Sequence, residues 1–202
     1  MSRNRILMIV GLFAILLIAL TTCGVNRIPT AEENAKAKWA DVQAAYQRRA
    51  NLIPNLVATV RASASSEERI LTGVTEARAN ATRITVSPEQ LSDPAAMARF
   101  SEAQSRLSAA IIPLQRLQEN YPQLQSQRNF TTLMSQLEGT ENRINITIND
   151  YNGAVRDYNT TIRTFPTVLA ARIIYGAQAI VPYTASTPNA DVAPTVDFGN
   201  GQ

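Results

Sequence analysis

Histidine is absent from this sequence of 202 residues, and Cys23 is its only cysteine. The lack of histidine removes the commonest general base and the commonest metal ligand of enzymes. A single cysteine cannot form a disulfide bond within the chain. The sequence also contains no Ser/His/Asp or Cys/His arrangement, no cluster of metal ligands and no glycine-rich phosphate loop. It therefore predicts a protein that is not an enzyme and that holds no cofactor or metal ion.

Charge and aromatic residues are also scarce. Charged residues make up 17% of the chain, aromatic residues make up 6%, and the net charge is only +3. Nucleic-acid-binding surfaces usually combine a dense basic stripe with interleaved aromatic residues, so we expect no nucleic-acid partner. The long middle of the chain is rich in Ala, Leu, Gln, Arg, Glu and Asn, which favours helices over sheets.

The longest apolar run covers residues 6–20 and follows Arg3 and Arg5. No other charged residue occurs before Arg27, and a basic flank ahead of an apolar run is typical of a membrane-targeting segment. We therefore predict a membrane anchor over residues 1–25, with the rest of the chain outside the cytoplasm, on the periplasmic or extracellular side.

Three forms of this anchor are open. Residues 6–25 have the length, roughly 20 residues, of an uncleaved transmembrane helix. Alternatively, residues 20–23 (Leu-Thr-Thr-Cys) resemble the lipobox of a lipoprotein signal, in which Cys23 would be lipidated. Thr22 departs from that pattern, which normally has Gly, Ala or Ser there. The third form, a cleaved secretory signal, lacks a good small-x-small cleavage site.

Apolar residues recur in alternating steps of three and four over residues 39–84, a heptad pattern typical of coiled coils. The pattern predicts one long helix over residues 31–85, with a bend near Asn51 and Pro54 because an interior proline kinks a helix. The positions are Trp39, Val42, Tyr46, Arg49, Ile53, Leu56, Val60, Ser63, Glu67, Ile70, Val74, Ala77, Ala81 and Ile84.

Further helices follow. Asp93 is a good N-cap with Pro94 at the first helical position, and an apolar stripe predicts a second helix that ends near residue 119. A strict heptad pattern from Phe130 to Phe165 predicts a third. Residues 168–179 predict a short fourth helix, and residues 182–202 predict a flexible tail. The predicted fold is all-α: one domain over residues 26–181, an antiparallel bundle of three long helices running up, down, up, plus a short C-terminal helix.

Arg49 and Glu141 occupy heptad positions where apolar residues are expected. In this topology the first and third helices are parallel, so the two side chains can meet as a buried ion pair, which offsets the several kcal/mol that an unpaired charge costs there. The alternative is that both reach water at the edge of the seam. Arg48, Arg49, Asn51 and Pro54 also form a candidate functional bend, although Pro54 can equally well only curve the helix.

A row of polar residues runs beside the third heptad pattern. We call it the asparagine ladder; it comprises Asn142, Asn145, Asn149, Asn152, Arg156 and Asn159. It is either a face for binding partners or an interhelical hydrogen-bond network, and we favour the network because buried asparagines can fix helix register. Arg143, next to Asn142, is a further candidate interaction residue.

The sequence resembles the LemA family. The residues that carry the resemblance are the run 48–57 (RRANLIPNLV), Tyr121-Pro122, Asn129-Phe130, residues 140–144 (TENRI), Tyr151-Asn152, Tyr158-Asn159, Phe165-Pro166 and residues 194–198 (PTVDF). The resemblance implies a bacterial protein with an N-terminal anchor and a helical bundle outside the cytoplasm. It supplies no catalytic residues.

Two functional hypotheses follow. The first is a scaffold or interaction module at the outer face of the membrane, whose partners are the membrane and envelope proteins. Self-association is a further expectation if seam residues are left exposed. The second is a sensing or signalling module, which would need a second membrane protein because only five residues precede the apolar run.

Overall fold

The computed structural model describes residues 7, 8, 11, 12, 25–125 and 127–184, and its regular elements are all helical. This confirms the all-α class for the described residues. Four helices are long: α1 (Arg27–Ser63), α2 (Glu68–Arg83), α3 (Pro94–Asn120) and α5 (Arg128–Thr161). The short elements are α4 (Pro122–Gln125), α6 (Thr167–Ala170), 3₁₀ turns at Ser65–Glu67 and Pro88–Gln90, and a π turn at Ala171–Tyr175.

Most of the predicted anchor lies outside the described residues, and so does Cys23. Within the part of the chain that the structure describes, none of the helices combines the length and the apolar character needed to cross a membrane. The predicted tail also lies outside this part from residue 185 onward.

The predicted helix over residues 31–85 is wrong, because the chain turns back at Ala64. Ala64 leaves the helical region, with φ −139° and ψ 56°, and a 3₁₀ turn leads into α2. Arg61 Nη2 lies 3.2 Å from Glu68 Oε1 across this turn, and Arg78 reaches back to the carbonyl oxygen of Ala50, so α1 and α2 form a helical hairpin. The local sequence Ser-Ala-Ser-Ser favours a break, since serine is a weaker helix former than alanine, leucine or glutamate.

The additional turn reverses the predicted direction of the last long helix. Lys38 on α1 pairs with Asp150 on α5 at 3.3 Å, and Arg49 pairs with Glu141 at 2.8 Å. Because the residue numbers rise on one helix and fall on the other, α1 and α5 are antiparallel. The bundle therefore has four helices running up, down, up, down, and the prediction of three helices with the first and third parallel is wrong.

The other predicted helices agree better with the structure. Asp93 Oδ1 accepts a hydrogen bond from the N–H of Ala95 at 2.8 Å, as expected of an N-cap, and α3 ends one residue beyond the predicted end. The short fourth helix is wrong beyond residue 175, where Gly176 adopts a left-handed conformation (φ 55°) and the chain becomes irregular. The tail prediction is wrong for residues 182–184, because Tyr183 is buried.

Two hydrophobic cores lie one above the other along the bundle. The leucine core is built by the four long helices around Leu56, Leu71, Leu107 and Leu137. The aromatic core forms around Trp39, where α2 has already ended. There α1, α5 and the start of α3 are covered by residues 84–93 and by residues 176–184, which we call the C-terminal segment.

Pro54 lies inside α1, and the helix continues through it. A proline has no N–H, so Pro54 cannot donate to the carbonyl oxygen of Ala50, four residues earlier. Instead, Arg78 on α2 donates to this oxygen from Nε at 2.7 Å. Pro54 therefore frees a backbone acceptor on α1, and α2 binds to it.

We expect Arg78→Met to lower the free energy of unfolding by about 1–3 kcal/mol, because the Ala50 carbonyl loses its donor. In a Pro54→Ala background the loss should be smaller, because the new backbone N–H at position 54 can donate to the same oxygen. Denaturant unfolding of the two single variants and the double variant measures the difference. Arg69→Met, at an exposed position of the same helix, is the matched control. Equal losses in both backgrounds would contradict this role of Pro54.

Candidate functional site

Between the two cores lies a polar layer centred on Arg49, whose side chain is 1% exposed. We call Arg49, Gln104, Ser108 and Glu141 the arginine layer. Arg49 Nη1 donates to Ser108 Oγ at 2.7 Å and to Glu141 Oε1 at 2.8 Å. Its Nη2 donates to the backbone oxygen of Gln104 at 3.2 Å and to Oε1 of the same residue at 3.1 Å. The guanidinium group thereby joins α1, α3 and α5.

Gln104 extends the arginine layer to the remaining long helix. Its Nε2 donates to the carbonyl oxygen of Ala81 on α2 at 3.2 Å. One hydrogen-bonded network therefore contacts all four long helices at the level where the aromatic core gives way to the leucine core.

The predicted ion pair of Arg49 and Glu141 is present, but only the arginine is buried. The side chain of Glu141 is 43% exposed, so its carboxylate stays partly hydrated while it neutralises the guanidinium. The observed pair therefore combines the two predicted alternatives: Arg49 is buried, and Glu141 reaches solvent at the edge of the seam. Arg49 also lies against the ring of Tyr46, 5.0 Å from its centroid, a distance at which a cation is attracted to an aromatic face. Its Nε has no hydrogen-bond partner among the residues that the structure describes.

The C-terminal segment runs along α5 in the opposite direction and is bound by two asparagines of the ladder. Asn152 donates to the Tyr183 carbonyl oxygen at 2.9 Å and accepts from the Tyr183 N–H at 2.8 Å. Asn159 makes the same pair of bonds with Ile180, at 2.8 and 3.0 Å. Each amide side chain thus satisfies both backbone groups of one residue, as a neighbouring β-strand would.

Further contacts fix the C-terminal segment in place. Tyr151 Oη donates to the Val181 carbonyl oxygen at 2.9 Å, and the Val181 N–H donates to the Leu91 carbonyl oxygen at 2.9 Å. The Tyr183 ring lies 6.3 Å from the Trp39 ring, centroid to centroid. The segment is therefore an integral part of the aromatic core.

Tyr183 also connects the C-terminal segment to the arginine layer. Its hydroxyl lies 2.7 Å from that of Tyr46, whose ring packs against Arg49. Burial raises the pKa of Tyr46 far above its ordinary value, and burial raises the pKa of Tyr151 and of Tyr183 in the same direction. These hydroxyls therefore stay protonated and act as neutral hydrogen-bonding groups.

The five asparagines of the asparagine ladder divide into two sets, and Arg156 is exposed at the surface of α5. Asn152 and Asn159 bind the C-terminal segment, so the prediction that they bridge helices is wrong for these two residues. Asn142, Asn145 and Asn149 are exposed, and their side chains make no hydrogen bond with other residues that the structure describes. We call these three residues the amide stripe.

The remaining candidates lie at the surface. Arg143 is exposed beside the amide stripe, and Arg48 is exposed on α1. Asn51 is exposed too and accepts a hydrogen bond from Gln47 at 2.9 Å. Arg48, Arg49, Asn51 and Pro54 therefore do not converge on one site, since only Arg49 points into the bundle.

Sequence reasoning missed three residues of this region. Gln104 lies between Phe100 and Leu107 in the apolar stripe of α3. A polar residue at an apolar position is the pattern that identified Arg49 and Glu141, and it would have identified Gln104 as well. Ser108, which follows Leu107, carries no such signal. Tyr183 could have been noticed as an isolated aromatic residue in a stretch otherwise taken for a tail.

Comparison with known proteins gives one family. The model of the LemA family matches residues 38–198, which cover the described bundle from Lys38 onward. No curated protein matches the chain significantly. Among the described residues, no group of three or more His, Cys, Asp or Glu side chains is arranged to hold a metal ion, and the absence of a metal or cofactor stays a prediction.

A double-mutant cycle tests the ion pair in the arginine layer. Arg49→Met and Glu141→Leu should each lower the free energy of unfolding, and the double variant should lose about 1 kcal/mol less than the sum, because the second change no longer breaks a pair. Glu138→Leu, one turn earlier on the exposed face of α5, is the control partner and should be additive with Arg49→Met. Additive losses for Arg49 and Glu141 would show that they are not energetically coupled.

The buried tyrosines predict a loss of stability at alkaline pH. Above about pH 10 the tyrosines of the unfolded chain lose their protons, whereas Tyr46, Tyr151 and Tyr183 keep theirs in the fold. The folded state then binds more protons, so stability should fall with rising pH by up to about 1.4 kcal/mol per pH unit for each tyrosine. Denaturant unfolding over this range measures the slope. It should be less steep with Tyr46→Phe and Tyr183→Phe combined, and an unchanged slope would contradict the prediction.

Proposed function

We propose a function for this chain, which belongs to the LemA family, as a membrane-anchored scaffold of the bacterial cell envelope that recruits partner proteins. In this proposal residues 1–25 hold the chain at the membrane, as a transmembrane helix or through a lipidated Cys23. The helical bundle then lies on the periplasmic or extracellular side and carries no enzymatic activity.

The observation that carries the proposal is the amide stripe on α5. The opposite face of the helix is buried along its length, so the helix is held rigidly while Asn142, Asn145 and Asn149 face solvent. Ile146 lies among them and is 52% exposed. A row of free amides around an exposed apolar side chain, on a helix whose opposite face is packed into the bundle, suits the binding of a protein partner.

The arginine layer supports a structural role over a catalytic one. The Nη1 and Nη2 groups of Arg49 donate to Ser108, Glu141 and Gln104 within the bundle. Such a buried, connected network stabilises one helix register, which is what a rigid platform requires.

The alternative function is a sensing module coupled to a second membrane protein. It is favoured by the contact of the C-terminal segment with the arginine layer through Tyr183 and Tyr46. A ligand that displaced the segment would expose the aromatic core and change the surroundings of Arg49. A lipidated Cys23 would leave this module without a direct connection across the membrane.

Site-specific photocrosslinking in native membranes tests the scaffold. A photoreactive amino acid at Asn142 or Asn149 should give a discrete crosslinked product with an envelope protein, identified by mass spectrometry. The same amino acid at exposed Thr72 or Glu76 on α2 should not give this product. Products formed equally at both helices, or no products at all, would contradict the proposal. Products of twice the chain's own mass would instead indicate a homo-oligomeric structural element.

A further inference from the structure

Exposed apolar side chains concentrate in one short stretch. Seven large apolar residues between positions 25 and 184 are exposed, and five of them lie within residues 165–175. We call this stretch, which contains α6 and the π turn, the apolar loop. They are Phe165, Leu169, Ile173, Ile174 and Tyr175, and Ile173 is the most exposed at 80%. A cluster of this kind is uncommon on a soluble surface and marks a surface that is covered by a partner or a membrane.

The apolar loop lies at one end of the bundle. The chain leaves α5 after Thr161, passes through the loop, and returns as the C-terminal segment alongside Asn159 and then Asn152. The loop is thus the point at which the chain reverses beyond the end of α5.

The beginning of α1 lies at the same end of the bundle. Because α1 and α5 are antiparallel, the first turn of α1 is next to the last turn of α5. Arg27, Phe165 and Pro166 line one cleft there. The apolar run of residues 6–20 precedes α1 in the sequence, and α1 begins at the end of the bundle that carries the apolar loop. The side chains of Leu7, Met8 and Leu12 within that run are exposed, so they are not buried against the bundle.

The charges around the apolar loop have one sign in the sequence. Between Asp157 and Asp191 the chain has no acidic residue, whereas Arg163 and Arg172 flank the exposed apolar side chains and are themselves exposed. Arg27 is exposed at the same end.

Three carboxylates line the clefts beside the apolar loop. Glu32 and Glu89 lie in the cleft of Tyr175, where Glu32 pairs with Lys36 at 2.8 Å, and Asp157 lies with Arg27 in the cleft of Phe165.

We propose that the apolar loop inserts into the interface of a phospholipid bilayer, with Arg163 and Arg172 against anionic headgroups. Apolar side chains flanked by arginines are typical of segments that lie at the boundary between headgroups and acyl chains, and tyrosine favours the same depth. The proposal rests on the proposed function in taking residues 1–25 as the membrane anchor. It adds a second attachment, more than 130 residues after the first in sequence, at the end of the bundle where α1 begins.

Depth-dependent fluorescence quenching tests the insertion in the full-length chain. The only native tryptophan, Trp39, is buried and supplies a constant background. An Ile173→Trp variant is reconstituted in vesicles of phosphatidylcholine and phosphatidylglycerol, with or without bromine atoms on the acyl chains near the headgroups. We expect its emission to shift to shorter wavelength in vesicles and to be strongly quenched by the brominated lipid.

The matched control is Ile112→Trp on α3, which replaces another exposed isoleucine outside both the apolar loop and the amide stripe. Its emission should be no more quenched than that of the wild-type protein. In the Ile173→Trp background, reversing the charges of Arg163 and Arg172 to glutamate should reduce the quenching in vesicles that contain phosphatidylglycerol. Equal quenching at positions 173 and 112 would overturn the proposal. A blue shift at position 173 that occurs without vesicles and grows with protein concentration would also overturn it, because a second copy then covers the loop.

Flotation of the same samples separates this inference from the proposed function. If the wild-type chain does not float with the vesicles, the membrane anchor is wrong and both proposals fail. If the chain floats but position 173 is not quenched, the anchor stands and only the insertion of the apolar loop is overturned.

Discussion

The guanidinium group of Arg49 is the constraint on which the bundle depends, because a buried positive charge must be paired and hydrogen-bonded or the fold loses several kcal/mol. Its partners come from α3 and α5, and Gln104 carries the network on to α2. Sliding one helix by a turn would bury the charge without its acceptors, whereas the two hydrophobic cores above and below would tolerate such a shift more easily. Burial of apolar side chains in the two cores is the main source of stability. The arginine layer selects one arrangement of the four helices.

Polar side chains in this fold repeatedly take the place of missing backbone partners. Pro54 leaves the Ala50 carbonyl oxygen without its helical donor, and Arg78 supplies one from α2. The C-terminal segment has no neighbouring strand, and Asn152 and Asn159 supply both the donor and the acceptor that each bound residue needs. In each case the side chain stabilises the contact between two elements because it satisfies a backbone group that would otherwise be buried alone.

The sequence was a good guide to buried faces and a poor guide to chain direction. Every apolar heptad position from Trp39 to Val60 is buried as predicted, and Arg49, for which the pattern left two possibilities open, is buried with them. The turn at Ala64 was missed because periodicity reports which face of a helix is covered and not whether the helix continues. That one turn also changed the relative direction of the helices that carry Arg49 and Glu141. The pairing of Tyr183 with Tyr46, 137 positions away, depends on tertiary contacts that no local pattern records.

The spacing of Asn152 and Asn159 restricts how this part of the chain can change in length. Seven residues of α-helix rise by about 10.5 Å, and three residues of extended chain, such as the step from Ile180 to Tyr183, cover about 10 Å. These two distances match, so Asn159 lies beside Ile180 while Asn152 lies beside Tyr183. Inserting or deleting one residue between the asparagines would turn one of them by about 100° around the helix and away from its partner. This stretch of α5 should therefore tolerate substitutions on its exposed face far better than any insertion or deletion.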